Sequence, residues 1–192
     1  IFLIEREKKL GLGTAYNYGF KWGLERDYQY FFEMDADFSH PPVDLLRLYK
    51  ACAEDGADVA IGSRYVPGGG VVNWPKDRLI LSKGASLYTR IITGMPVMDP
   101  TAGFICYARS VLETLDLDKI RFVGYAFQIG MKYLAYKAGF TLKEVPIQFV
   151  EREFGVSKMH SGIIKEAIIG VLNLRLSSVF KPRRMKAKST TE

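Results

Sequence analysis

Apolar and polar positions follow two periods along this chain, and the period switches repeatedly. Short apolar runs at Ile1–Ile4, Tyr30–Met34 and Asp58–Ile61 are bounded by polar or glycine-containing stretches and predict strands. Thr101–Tyr107 reads as another. Thr141–Val150 alternates Leu142, Val145, Ile147 and Phe149, as a half-buried strand does, and Pro146 assigns it to a sheet edge. Between these runs the spacing becomes helical. One helix is expected from Thr14, in the N-cap position, to about Glu25, with Ala15, Gly19 and Gly23 forming a small-residue face that permits close packing on a sheet. A second opens at Pro41-Pro42 and continues through Leu45, Leu46, Leu48 and Tyr49. Others run from about Arg78 to Thr93 and from Phe127 to Lys137. Pro67-Gly68-Gly69-Gly70 reads as a flexible loop. From about Ser161 to Phe180 the pattern is amphipathic, with Ile164, Ile168, Val171 and Leu172 on the apolar side. Strands alternating with helices predict an α/β fold with a largely parallel sheet. A length of 192 residues suits one such domain.

Charge narrows the partners. Lys and Arg number 27 against 21 Asp and Glu, a formal net charge of +6. That favours nucleic acid, acidic lipid or phosphorylated small molecules. No nucleic-acid-binding module and no aromatic–basic stacking pattern is present, so nucleic acid is not an expected partner. Cys52 and Cys106 lack C-x-x-C spacing and read as buried thiols in a reducing compartment. The most apolar stretch, Ile163–Phe180, is interrupted by Lys165, Glu166 and Arg175 and is too polar to read as a membrane span.

Candidate chemistry starts at Asp35-Ala36-Asp37, two carboxylates delivered by an aromatic strand to its C-terminal end. In open α/β sheets that end faces the ligand crevice. Paired carboxylates there suit a hard divalent cation, Mg²⁺ or Mn²⁺, which usually arrives with phosphates. A solvated acidic turn is the alternative. Arg64 follows the strand Asp58–Ile61 and reaches the same edge, either as a bidentate phosphate ligand or as an exposed strand-end cation. Gly11-Leu12-Gly13 lacks the third glycine of a dinucleotide loop and the ending of a P-loop, so it reads as a tight turn. Asp99 precedes a strand, as a turn residue does. In Glu151–Lys158, Arg152 and Lys158 either clamp an anion or belong to a solvated charge run, and Gly155 allows a sharp bend. His40 and His160 lack metal-ligand spacing.

Taken in order, these pieces resemble the dolichyl/polyprenyl-phosphate mannose synthases, inverting family-two glycosyltransferases of GT-A fold. The residues carrying the likeness are Gly11–Ala15, Met34–Pro41, Gly62–Tyr65, Asn73-Trp74-Pro75, Asp99–Phe104, Gly124–Gln128, Glu144-Val145-Pro146 and Arg152–Lys158. The resemblance implies a Rossmann-like, mostly parallel sheet flanked by helices, GDP-mannose as donor and a polyprenyl phosphate in the membrane as acceptor. It implies Asp35 and Asp37 as metal and nucleotide-sugar carboxylates, with Mg²⁺ or Mn²⁺. Arg64, Arg152 and Lys158 match positions that hold phosphate groups; Arg78 and Ser157 are further candidates of that kind. Ser39 stands where some relatives carry a Gln ligand. On this reading residues 1–160 form the catalytic domain, 161–180 an amphipathic helix and 181–192 a disordered basic tail. The protein would sit in the cytoplasm, peripherally on a membrane.

The chain also departs from the family. The usual Pro-x-Tyr-Asn-Glu strand and the later Glu-Asp-Gly-Ser segment are absent, so the first strands and part of the nucleotide pocket are expected to be missing, leaving apolar surface along Ile1–Ile4. Relatives often carry Glu after Phe-Gln-Ile, where this chain has Gly130. Two alternatives follow: transfer of another sugar, such as glucose from UDP-glucose, or an inactive, truncated binding paralogue.

Overall fold

A computed structural model describes residues 2–8, 10–120, 125–151 and 168–176. Its main sheet has four strands in the order β1 (Tyr30–Glu33), β4 (Ile105–Ala108), β2 (Val59–Ser63) and β5 (Leu142–Pro146). Three of them, β1, β2 and β5, point the same way, as the alternation of elements implies. β4 runs against them, pairing antiparallel with β1 (Phe31 opposite Tyr107) and with β2 (Ala60 opposite Cys106). β2 and β5 pair in parallel, with Ile61 opposite Glu144. Every residue of β2 is buried, as expected of a strand covered on both faces.

Helices cover both faces. On one side lie α1 (Leu12–Leu24), α4 (Arg109–Thr114), α5 (Tyr125–Lys137) and the helical segment 168–176, packed around Phe20, Phe31, Ile105, Tyr107, Phe127 and Val171. On the other side α2 (Val43–Ala53) packs Leu48, Ala51 and Cys52 against Ala60, Phe104 and Cys106. Cys52 and Cys106 are both buried free thiols. A two-stranded parallel ribbon, β3 (Gly70–Val72) with β6 (Gln148–Val150), lies beyond the β2–β5 edge and leads into α3 (Lys76–Thr93).

Several local expectations shift. Residues 2–4 are not a strand: no backbone partner pairs with them among the described residues, and Phe2 and Leu3 are exposed. Helix α1 starts at Leu12, capped by Gly11 at φ 98°, a conformation that favours glycine. Thr14 is therefore inside the helix, its Oγ1 donating to the Gly11 carbonyl (2.9 Å) rather than capping. Of the small-residue face, only Gly23 meets the sheet; a Cβ there would lie 2.4 Å from a Phe31 ring carbon, while Gly19 faces solvent. The predicted strand Thr141–Val150 is broken at Ile147. Its amide bonds the Ser63 carbonyl and its carbonyl accepts from Gly70, so the chain passes from one sheet to the other. Pro146 does close an edge strand. Pro67–Gly70 is a packed turn: a Cβ on Gly69 would meet the Ser63 carbonyl at 2.5 Å. In segment 168–176 the buried positions are Val171 and Leu174, whereas Ile168 and Leu172, expected inside, are exposed.

Candidate active site

β1 ends at Glu33 and releases the chain into the Asp35–Asp37 loop at the C-terminal edge of the sheet. Asp35 is exposed and Asp37 half-buried. The loop turns through Phe38, whose φ of 61° is left-handed and costly for a residue with a side chain. Asp37 meets part of that cost: its Oδ1 accepts from the Ser39 amide (3.1 Å) and hydroxyl (2.6 Å). Ser39 Oγ also lies 3.3 Å from Nδ1 of His40. His40 is buried between Phe104 and Phe149, at ring distances of 4.9 and 5.1 Å. Burial, aided by the Arg64 charge and opposed by Asp37 and Asp44, pushes its pKa down to about 4, so the ring is neutral at pH 7. The Phe149 ring that packs on His40 also lies 5.8 Å from the Arg64 guanidinium, so His40 stands between the two halves of the site. A backbone bond from Val150 N–H to the Ser39 carbonyl (3.1 Å) fixes β6 to the same loop.

Arg64 leaves the end of β2. Its backbone N–H (3.0 Å) and Nε (2.7 Å) donate to Asp99 Oδ2, and Nη2 donates to Oδ1 (2.7 Å) and to Thr101 Oγ1 (2.9 Å). Asp99 is fully buried. Burial raises its pKa, but the Arg64 guanidinium outweighs this and holds the carboxyl below the usual range. Glu144 on β5 accepts from the amides of Met98 and Asp99 (2.7 and 2.9 Å), and Lys132 Nζ donates to the Ala102 carbonyl (2.6 Å). The Asp99–Ala102 loop is therefore held from three sides, and it in turn holds Arg64.

Arg78, in the first turn of α3, stacks over Trp74 (4.0 Å to the ring centroid) and pairs with Glu151. Tyr65 donates its hydroxyl hydrogen to Ser82 on α3 (2.6 Å). Between these elements lies a cleft of about 390 Å³ lined by Arg64, Tyr65, Gly69, Gly70, Leu79 and Lys83. The cleft is cationic and reached from solvent, so it suits an anionic group. It lies between Arg64 at the end of β2 and Leu79 and Lys83 on α3.

Of the residues singled out from the sequence, the structure places Asp35, Asp37, Arg64 and Arg78 at this edge. Arg152, Ser157 and Lys158 lie outside the described residues; they follow Glu151, which sits on Arg78. Among the described residues no three His, Cys, Asp or Glu side chains gather as a metal cage. Asp35 and Asp37 are an oxygen-only pair, and Asp37 is already oriented by Ser39. Such a pair fits Mg²⁺ or Mn²⁺ when substrate phosphates and water supply the remaining oxygens.

The sequence reading missed a buried polar group behind the loop. Glu33, Gln128 and Lys132 are all nearly or fully buried. Burial raises the Glu33 pKa and lowers that of Lys132, each opposing the other's shift. A signal existed: Glu33 is in phase with buried Phe31 along β1, and Gln128 and Lys132 are one helical turn apart. Lys83 and Ser82 were missed because nothing in α3's pattern marks which side faces the cleft.

Comparison with known proteins agrees with this architecture. The model of "Glycosyl transferase family 2" matches residues 1–116. A "Polyprenol monophosphomannose synthase" of Mycolicibacterium smegmatis is 52% identical over 171 residues, 89% of this chain and 64% of that protein. An "Undecaprenyl-phosphate mannosyltransferase" of Micrococcus luteus is 46% identical over 186 residues, 97% of this chain and 76% of that protein. The chain thus spans just under two thirds of the first relative's length. Among solved structures, glucosyl-3-phosphoglycerate synthase from Mycobacterium tuberculosis, in complex with Mn²⁺ and UDP-glucose, superposes with a TM-score of 0.60 at 15% identity, covering 94% of this chain and 57% of that one. At that identity the likeness shows the GT-A fold alone. The chain belongs to glycosyl transferase family 2.

Proposed function

We propose that this family-two glycosyltransferase moves mannose from GDP-mannose to the phosphate of a polyprenyl phosphate. One juxtaposition carries the reading. The Asp35–Asp37 carboxylates and the cationic Arg64 cleft stand at one sheet edge, joined through Ser39 and His40. Transfer of a glycosyl group between two phosphates needs both features, one for the departing diphosphate and one for the incoming phosphate. The two relatives' names, which specify mannose and a polyprenyl-type phosphate, support the same substrates.

An oxygen of the acceptor phosphate attacks the anomeric carbon of mannose as the bond from that carbon to the diphosphate oxygen breaks. GDP departs with the bonding electrons. In-line attack inverts the centre and gives a β-linked mannosyl phosphate. A phosphate monoester is already ionised at neutral pH, so no general base is required. The task left to the protein is alignment of two anions and neutralisation of their charge. Asp35 and Asp37 would hold Mg²⁺ or Mn²⁺, which supplies positive charge for the departing diphosphate. Arg64, which lines the cleft, and Arg78, in the first turn of α3, bind phosphate oxygens. Arg152, Ser157 and Lys158 are assigned to the diphosphate.

The acceptor's tail requires a membrane. No helix among the described residues is long and apolar enough to cross one. α3 instead exposes Ile80, Leu87 and Ile91 on one face, with Lys76 and Lys83 nearby. Segment 168–176, joined to α3 by the Tyr88 hydroxyl on the Ile168 carbonyl (3.1 Å), exposes Ile169, Leu172 and Leu176. A basic, apolar face of this kind supports peripheral seating on the cytoplasmic side of an anionic membrane. Donor choice is tested by offering labelled GDP-mannose and labelled UDP-glucose with the same acceptor. Lipid product from GDP-mannose alone is expected; product from UDP-glucose alone would overturn the donor assignment.

A further inference from the structure

Two arginines flank the Trp74 ring, Arg78 at 4.0 Å and Arg64 at 5.4 Å from its centroid, and each already has an acid. The two pairings differ in kind. Asp99 is fully buried, its side chain completely enclosed, and it takes both guanidinium nitrogens that face it as well as the Arg64 backbone amide. Glu151 keeps 24% of its side-chain surface exposed and bonds a single nitrogen, Nη1, of Arg78. Arg78 Nε and Trp74 Nε1 are both buried and have no hydrogen-bond partner among the described residues. Two N–H donors at one place are therefore left without an acceptor, which folded proteins normally avoid.

The backbone around Glu151 is anchored. Its amide donates to the Val72 carbonyl (3.2 Å), and the Val150 amide donates to Ser39. The carboxylate can swing into solvent while the strand stays in place. A carboxylate offers Arg78 two oxygens on one side. A phosphate monoester offers three strong acceptors and more charge.

We propose that Glu151 is an internal competitor for the anion site at Arg78: it occupies the arginine in the empty site and must release it when a phosphate monoester binds. The inference rests on the reading of Arg78 as a phosphate-binding residue. Its role is to set specificity. Only a ligand that satisfies Arg78 better than Glu151 does, and that also reaches the idle N–H groups, is retained. An ion pair that is still about a quarter exposed holds its partner for most but not all of the time. Apparent affinity scales with the fraction of sites in which Glu151 has released Arg78, so removing the competitor should tighten binding by about three- to tenfold.

The test is calorimetric titration with farnesyl phosphate, a short polyprenyl monophosphate, of the parent protein and of Glu151→Gln, Glu151→Ser and Arg78→Ala, each checked for unchanged thermal unfolding. Both Glu151 variants are expected to bind about three- to tenfold more tightly, and Arg78→Ala more weakly than the parent. Weaker or unchanged binding in the Glu151 variants, with Arg78→Ala still impaired, overturns the competitor role and makes Glu151 a positioning residue. Parent binding that ignores Arg78→Ala sinks the phosphate reading of that site and the inference with it.

Discussion

Replacing Asp99 by Asn isolates the interaction that fixes Arg64. Asp99 is fully buried, whereas Arg64 retains 11% exposure toward the cleft. The substitution keeps the side chain's shape but removes the charge, and one oxygen that accepted from Arg64 becomes an amide donor facing another donor. Breaking a buried pair by removing one partner costs about 3–5 kcal/mol. Cleft water can resolvate part of the orphaned guanidinium, so about 3 kcal/mol is expected. With a urea m-value of about 2 kcal/mol/M, the midpoint should fall by about 1.5 M. The pH dependence carries a sign. The folded carboxyl titrates below its unfolded value of 3.8. Its contribution is therefore complete above about pH 4 and is lost as pH falls through the folded value. Parent and variant should differ most near pH 7 and converge in acid. A double-mutant cycle with Arg64→Met should return most of the loss as coupling. A loss under about 1 kcal/mol at pH 7, or a difference that persists undiminished in acid, would show that the Asp99 charge does not hold Arg64.

Other consequences are as direct. His40 resists protonation down to about pH 4 in the folded state against about 6.5 unfolded, so stability should decline by about 3 kcal/mol as pH falls through that window. His40→Phe, which keeps the ring packing, should flatten the decline in chemical denaturation at stepped pH; an unchanged slope assigns it to another group. Gly23→Ala should destabilise by about 1–3 kcal/mol through the Phe31 ring, with Phe31→Leu restoring part of the loss. Gly19→Ala, with nothing within 4 Å, should instead stabilise by about 0.5–1 kcal/mol; thermal unfolding of the two variants gives opposite signs if the helix faces as described. Ile80→Asp with Ile91→Asp should lower co-sedimentation with phosphatidylglycerol vesicles by tenfold or more, and equal binding would remove α3 from the membrane face.

What could be read from the sequence was local. The aromatic run before Asp35 defines a strand end, and the crevice rule then places both carboxylates without tertiary knowledge. Pro146 announces an edge because it cannot donate to a neighbour. Partners far apart in sequence were not legible. Arg64 looked like a free cation, and Asp99 like a turn residue, because 35 positions separate them and nothing local joins them. The small-residue face of α1 was read correctly at Gly23 and wrongly at Gly19, since spacing defines a stripe but not which part of it meets the sheet. The direction of β4 was hidden for a similar reason. Alternation counts elements, and the connection at residues 94–104 carries the chain to the sheet in the opposite sense. Segment 168–176 shows how packing overrides amphipathicity: Val171 and Leu174 are inside, whereas Ile168, Ile169, Leu172 and Leu176 are exposed.

Glycosyl transfer to a lipid phosphate is the role proposed for the Asp35–Asp37 loop. Its most direct test is transfer of labelled mannose from GDP-mannose to a polyprenyl phosphate, with Mn²⁺ or with chelator, for the parent and for Asp37→Ala. Lipid-extractable product that requires the cation and falls at least a hundredfold in the variant is the predicted result. Product formed equally well by Asp37→Ala, or equally well in chelator, would contradict the claim.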